Sequence, residues 1–483
     1  MMKLLGLTAL LVLPLAAGCG DDDDSDNPTG GSQSGGKGGS GGGSAGKGGS
    51  SNSGGSSGKG GTSNEGGSGN EGNTGNTGNE GGSAGGGGDP VECDLDALED
   101  GGNVPTSGTL ESGKFYNLDG RTEIEETLTI EPCVKVLGDA QDDVLVVVPG
   151  GQLVADGEAD APIVFTSGNA EPAPGDWGGI ILLGNGVCND ATDDEGCIVE
   201  GLVEPEIEFG NTEANADNEE SSGSLQYVRI EYSGVDLDGG GNEINGLTLA
   251  GVGSGTTISH VMVANTLDDC FEWFGGAVNA DHLIAYNCGD DMFDADSGFS
   301  GHVQFAFGRQ VSPVTSDPNG FEWDNDSTTP TKEPVSAPKF SNVTVCGTGE
   351  EAAGDPNVGG VLRRGVGGSI TNAIITGFET AALSVRDTPD TAVTVTYTLQ
   401  FDNTAEFDGT HAGGATWFTD QDGNGSEAPE DFGDCWADPP APFPAEKIEG
   451  VAPTGQADED ADFIGAFEDA DDNWISGAWV SWE

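Results

Sequence analysis

Two stretches of the chain carry its densest chemistry: Asn265-Thr-Leu-Asp-Asp-Cys-Phe-Glu and Asn287-Cys-Gly-Asp-Asp-Met-Phe-Asp, which match position for position at a separation of 22 residues. Stacked in a parallel coil, they would bring Asp268 over Asp290 and Asp269 over Asp291, at the strand spacing of about 4.8 Å. Four carboxylates that close repel one another, and partial burial worsens the repulsion, so they need protons, basic partners or a metal ion. Hard oxygen ligands with few bases nearby favour calcium over zinc or copper. The competing reading is turn chemistry, in which each aspartate caps backbone amides; the two can coexist.

A second calcium pattern is Asp420-Gln-Asp422-Gly-Asn424-Gly425, with Asp431 twelve positions from the start. Oxygen donors at positions one, three, five and twelve and Gly at six fit a calcium loop. Flanking helices are absent, so the expectation is a braced surface loop or a plain polar turn. The run Glu322-Trp323-Asp324-Asn325-Asp326 repeats the Phe-Glu-Trp of 271–273. Indoles beside carboxylates suit sugars, which makes Glu272, Trp273, Glu322 and Trp323 candidate ligand-binding residues; the alternative is that the two tryptophans close the ends of coils. His260, His282 and His302 recur at one outward position, and His411 is the remaining histidine. Neighbouring imidazoles could hold a metal or a sugar, against the simpler reading of an outward polar row.

The elements that must position these groups are strands. The chain is rich in Gly, Asp, Asn and Thr, and its apolar residues come in short β-branched runs such as Val144 to Val148 and Ile163-Val-Phe165. Six runs align, starting at Tyr227, His260, His282, His302, Asn342 and Asn372, with steps of 33, 22, 20, 40 and 30 residues. That irregularity suits coils carrying loops of different length better than a propeller, and about 20 residues make one solenoid turn. Alternation turns Val228 and Ile230, Val261 and Val263, and Val303 and Phe305 inward. Asn265 and Asn287 share inward parity, which predicts an internal amide ladder at a turn. The fold expected is all-β: a right-handed parallel β-helix over residues 90–483.

The stretches Leu128-Thr-Ile-Glu-Pro, Gly150-Gly-Gln-Leu-Val-Ala-Asp-Gly, Ala161-Pro-Ile-Val-Phe-Thr-Ser, Gly175-Asp-Trp-Gly-Gly-Ile-Ile, Glu243-Ile-Asn-Gly-Leu-Thr-Leu and Phe271-Glu-Trp-Phe-Gly-Gly resemble a family of bacterial surface proteins and lipoproteins, many from the Bacteroidetes, with a pectate-lyase-like right-handed β-helix. The resemblance implies a fold and a surface location, and no established activity. The string Cys288-Gly-Asp290-Asp291 with His302 is similar to the paired aspartates and histidine of polygalacturonase-like hydrolases. One carboxyl would protonate a leaving oxygen while another activates water. The Gly-His-Gly of those enzymes is Gly301-His302-Val303 here, and their Arg-x-Lys segment is absent. A lyase would need a base such as Arg363 or Arg364. Polysaccharide lyase or glycoside hydrolase is thus the alternative to a binding role.

The N-terminus reads as a lipoprotein signal peptide over residues 1–18: Met-Met-Lys, an apolar run from Leu4 to Ala17, then Gly18-Cys19. The segment Leu15 to Cys19 resembles a bacterial lipobox, which would make Cys19 the lipidated residue, carrying palmitate or a similar chain. Gly20 after it points to the outer membrane and the cell surface. Residues 19–89 form a Gly/Ser/Asn-rich linker with no apolar cluster, read as a disordered tether. As a coil it would average roughly 40–50 Å end to end. The net charge of -69, from 84 acids against 15 bases, excludes nucleic acid as a direct partner and favours bound cations. Polysaccharide or matrix is the partner expected. Beyond Cys19 there are eight cysteines, an even number that reads as a disulfide set in an exported chain, with Cys188–Cys197 and Cys270–Cys288 the likeliest local pairs.

Overall fold

The computed structural model describes residues 93–482, apart from 203–204, 238–241, 313–317, 349–356 and 456. The signal, Cys19 and the linker therefore lie outside the described residues. Among the described residues there is no α-helix, and none long and apolar enough to cross a membrane. Two parallel sheets, of 15 and 10 strands, take alternate contributions from the chain. In the central coils sheet 1 receives Gly223–Glu231, Thr257–Ala264, Asn279–Tyr286, His302–Arg309, Lys339–Cys346 and Ser369–Thr376, while sheet 2 receives Leu247–Ala250, Phe271–Phe274, Phe293–Asp296, Phe321–Trp323, Val361–Arg363 and Leu383–Arg386. This is a parallel β-helix, as the repeats predict. Matched strands put like residues in line: Phe271 pairs with Phe293 and Phe293 with Phe321. Their rings run in line through the enclosed core, stacked at 5.7 Å for the first pair and tilted at 5.9 Å for the second.

Sheet 1 is bent, and one residue per coil makes the bend. Tyr227, His260, His282, Phe305, Asn342, Asn372 and Tyr397 all have φ between 49 and 59°, a left-handed conformation that costs bulky side chains energy. The residues on either side stay in register: Gln226 with Ser259 with Asp281 with Gln304, and Val228 with Val261 with Leu283 with Ala306. The bend also interrupts the two-residue alternation, so that Ile258, Val261 and Val263 face the core while Met262 and Ala264 pack on the outside. This corrects one expected alignment. His302 is not the mate of His282; Phe305 is, and Phe305 sits half-buried at the bend instead of inside. Asn265 and Asn287 do form a rung, with Asn287 Nδ2 donating to Asn265 Oδ1 at 2.8 Å. They lie half-buried at a second left-handed turn, not in the enclosed interior.

Four disulfides close the coil: Cys93–Cys133, Cys188–Cys197, Cys270–Cys288 and Cys346–Cys435. The two expected local pairs are among them. The C-terminal segment crosses the outer face of sheet 1, where Phe467, Ile475 and Trp479 cover Met262, Ile284 and Phe307.

Candidate cation site on the second sheet

Strand alternation in sheet 2 sends Phe271, Trp273, Phe293, Ala295, Phe321 and Trp323 into the core. It therefore sends Glu272, Asp294 and Glu322 out, and the register stacks them: Thr248, Glu272, Asp294 and Glu322 are successive partners. The outer face is not open water. The loop near 187–189 lies on it, with Gly276 N–H donating to the Val187 carbonyl at 2.7 Å and Asn189 Nδ2 to Asn325 Oδ1 at 3.0 Å. Glu272 is only 6% exposed. Burial, then Glu200, Asp294 and Asp269, push its carboxyl well up, and Asn245 Nδ2 donates to it. Burial and Glu322 push Asp294 up likewise. Asp296, whose Oδ1 is sequestered without a hydrogen-bond partner, is raised by burial to about 7.

The turn leading into this sheet holds the predicted aspartates. Asp268, Asp269 and Asp290 each place an oxygen within 4.8 Å of the other two, and Asp269 does the same with Glu272 and Asp294. Asp268 and Asp269 are each 6% exposed. Burial drives both pKa values well up; Glu243 and Asp290 add to it at Asp268, Asp291 and Asp268 at Asp269. Part of the turn reading is visible too. Asp269 Oδ1 accepts the Asp291 N–H at 2.7 Å, Asp291 Oδ1 accepts the Asn319 N–H at 3.0 Å, and Asn319 Oδ1 accepts the Val358 N–H at 3.0 Å. Each side chain caps the backbone of the next coil. Asp268 is different, because its buried Oδ2 has no hydrogen-bond partner.

Other expected sites are dispersed. Trp273 and Trp323 are fully buried in the core, so they cannot serve as sugar platforms; they pack inside the coil. Glu322 is held by Arg363. Asp420, Asp422 and Asp431 do not converge among the described residues. Asn424 spends its amide on the backbone, donating to the Val395 and Phe418 carbonyls at 2.8 Å each and accepting from Thr398 N–H at 2.9 Å. It caps the last coil, which is the polar-turn role set beside the calcium loop. His302 begins a strand of sheet 1, beside Lys339 Nζ at 3.3 Å, and the whole sheet 2 strand Phe293–Asp296 separates it from Asp290 and Asp291 in the chain path. Arg363 and Arg364 both pair with Asp324, and Arg364 also with Asp387 at 3.5 Å. Sequence reasoning passed over Asp294, Asp296 and Asp324, although the alternation in Phe293-Asp-Ala-Asp296 marks two of them as outward neighbours of Glu272 and Phe274.

Residues 102–422, well over half of the chain, match the pectate-lyase like beta helix domain. The chain belongs to that family. No curated protein and no solved structure matches it. In this pectate-lyase-like β-helix protein the matched span includes both sheets' central coils and every acidic group of the sheet 2 turn.

Proposed function

We propose that this pectate-lyase-like β-helix protein is a lipid-anchored surface protein of the outer membrane, braced by calcium, that binds polysaccharide or matrix. The observation that carries the cation is the convergence of Asp268, Asp269 and Asp290, where the buried Oδ2 of Asp268 has no hydrogen-bond partner. An unpaired oxygen at that depth costs folding energy unless a proton or an ion satisfies it. A cage of carboxylate oxygens suits calcium, and Asp291, although committed to Asn319, fixes the turn beside it. Binding is favoured over cleavage because His302 stands on sheet 1, a whole sheet 2 strand along the chain from Asp290 and Asp291, and the two arginines of a lyase are tied up in ion pairs.

Calcium is tested by thermal unfolding with and without chelator. Saturation at about 100 times Kd adds roughly 2.7 kcal/mol, so the midpoint should fall on chelation; an unchanged midpoint rejects the ion. The binding role is tested on a polysaccharide panel at two calcium levels. Retention without product supports it, whereas release of oligosaccharides that disappears in Asp291→Asn establishes the lyase or hydrolase alternative. Membrane association lost in Cys19→Ser supports the anchor.

A further inference from the structure

A second cluster lies on sheet 1, and the calcium reading makes no use of it. At the bend Ser259 precedes His260 and Asp281 precedes His282, and Ser259 and Asp281 are register partners. The four side chains form one continuous string. His260 Nδ1 lies 2.9 Å from Ser259 Oγ, Ser259 Oγ donates to Asp281 Oδ1 at 2.7 Å, and His282 Nδ1 lies 2.6 Å from the same Asp281 oxygen. One ligand atom from each of His260, Asp281 and His282 lies within 4.8 Å of the other two.

We propose that His260, Asp281 and His282 bind a transition-metal dication of the zinc class, with Ser259 or a water completing the coordination. Two imidazoles and one carboxylate are a borderline ligand set, which selects zinc, cobalt or nickel over calcium. A tetrahedral ion with bonds of about 2.1 Å separates its ligands by about 3.4 Å. Neighbouring atoms of the string must separate by less than about 1 Å, the three ligand atoms, now within 4.8 Å of one another, must settle at that spacing, and each neutral imidazole must carry its one N–H proton on the nitrogen that does not bind. The rings stack at 4.2 Å with 9° between planes, so one ring must also turn about its Cβ–Cγ bond for both lone pairs to reach one point.

The surroundings suit such a site. Trp479 sets its edge against His260 at 5.4 Å and Trp474 against His282 at 5.1 Å, while Tyr227 and Phe305 close the stack above and below. That apolar collar lowers the local dielectric around the ion. Entry is available through a cavity of about 300 Å³ that Asp281 lines together with Asn279, His302 and Gly455. Burial, reinforced by His282, holds His260 neutral down to about 4; at Asp281 burial is outweighed by the hydrogen bonds from His282 and Ser259, which keep the carboxyl ionised.

The test is zinc titration of the full chain by calorimetry in excess calcium, with cobalt(II) absorption as a second readout. The wild type should take up one zinc per chain in the micromolar range or tighter, and cobalt should give the visible bands of a tetrahedral site. His282→Ala and Asp281→Asn should each weaken uptake at least tenfold, whereas His411→Ala should not change it. Absence of uptake in the wild type overturns the proposal, as does wild-type affinity in either cluster variant. Should His282→Ala fail to fold, as judged by circular dichroism, His260→Gln replaces it with the same two outcomes.

Discussion

Asp296→Asn isolates the electrostatic cost of the sheet 2 face. In the folded protein the Asp296 pKa is about 7, against 3.8 for the free side chain. An acid raised on folding binds its proton more tightly in the native state, so its penalty is absent below about pH 4, grows through the interval, and is complete above 7. Three pH units at 1.36 kcal/mol each give a ceiling of about 4 kcal/mol. Ser297 and Arg363, which favour the ionised form, are already contained in that value. The asparagine variant should therefore match the wild type at pH 4 and exceed it at pH 8 by up to about 4 kcal/mol. With about 2.1 cal/mol/K per residue over roughly 390 residues, that is about 5 °C in Tm. The assay is calorimetric unfolding of both proteins in chelator at pH 4, 6 and 8. A constant difference across the series would refute the reasoning, since it would mean that the carboxyl ionises as freely in the fold as outside it.

Asp268→Asn should stabilise the calcium-free protein at neutral pH and abolish the midpoint shift on adding calcium, both read by thermal unfolding; a variant that still responds fully to calcium places the ion elsewhere. Trp323→Ala should cost about 3–5 kcal/mol in urea unfolding through the cavity it leaves, with ligand retention unchanged in the folded fraction. Asn342→Ala should cost roughly 2–4 kcal/mol, because it removes two donor bonds, to the Ala461 and Phe463 carbonyls, and leaves alanine in a left-handed conformation. Limited proteolysis should then release the C-terminal segment first.

The coil was legible where identical residues recur at one spacing, as in 265–272 and 287–294, because stacking makes register visible as sequence identity. It was illegible at the bend. A left-handed residue shifts the phase of alternation, so His302-Val-Gln-Phe looks like His282-Leu-Ile-Ala while its true bend lies three positions later, at Phe305. Trp273 and Trp323 stood open between a sugar platform and a coil-end role for a different reason. Their side of the strand follows from parity, but parity alone does not reveal that Glu272, between the flanking indole and phenyl rings, is the outward group. The Asp420–Asp431 spacing matched a calcium loop in residue type only; Asn424 is consumed by the backbone of the last coil, a contact 29 residues away that spacing does not encode. The His260–Asp281 cluster needed both the register and the bend to emerge.

The crossing of the C-terminal segment over sheet 1 sets the order in which the molecule can be finished. Arg229 donates to the carbonyls of Ala478 and Val480, 249 and 251 residues later, and Tyr286 Oη to that of Trp482. A solenoid can wind progressively, each new coil laid on the last. Here the central coils have an apolar flank, with Met262, Ile284 and Phe307, that residues 466–482 cover. A coil formed without residues 466–482 would leave that apolar side open to association, and the segment acts as the clasp that closes it.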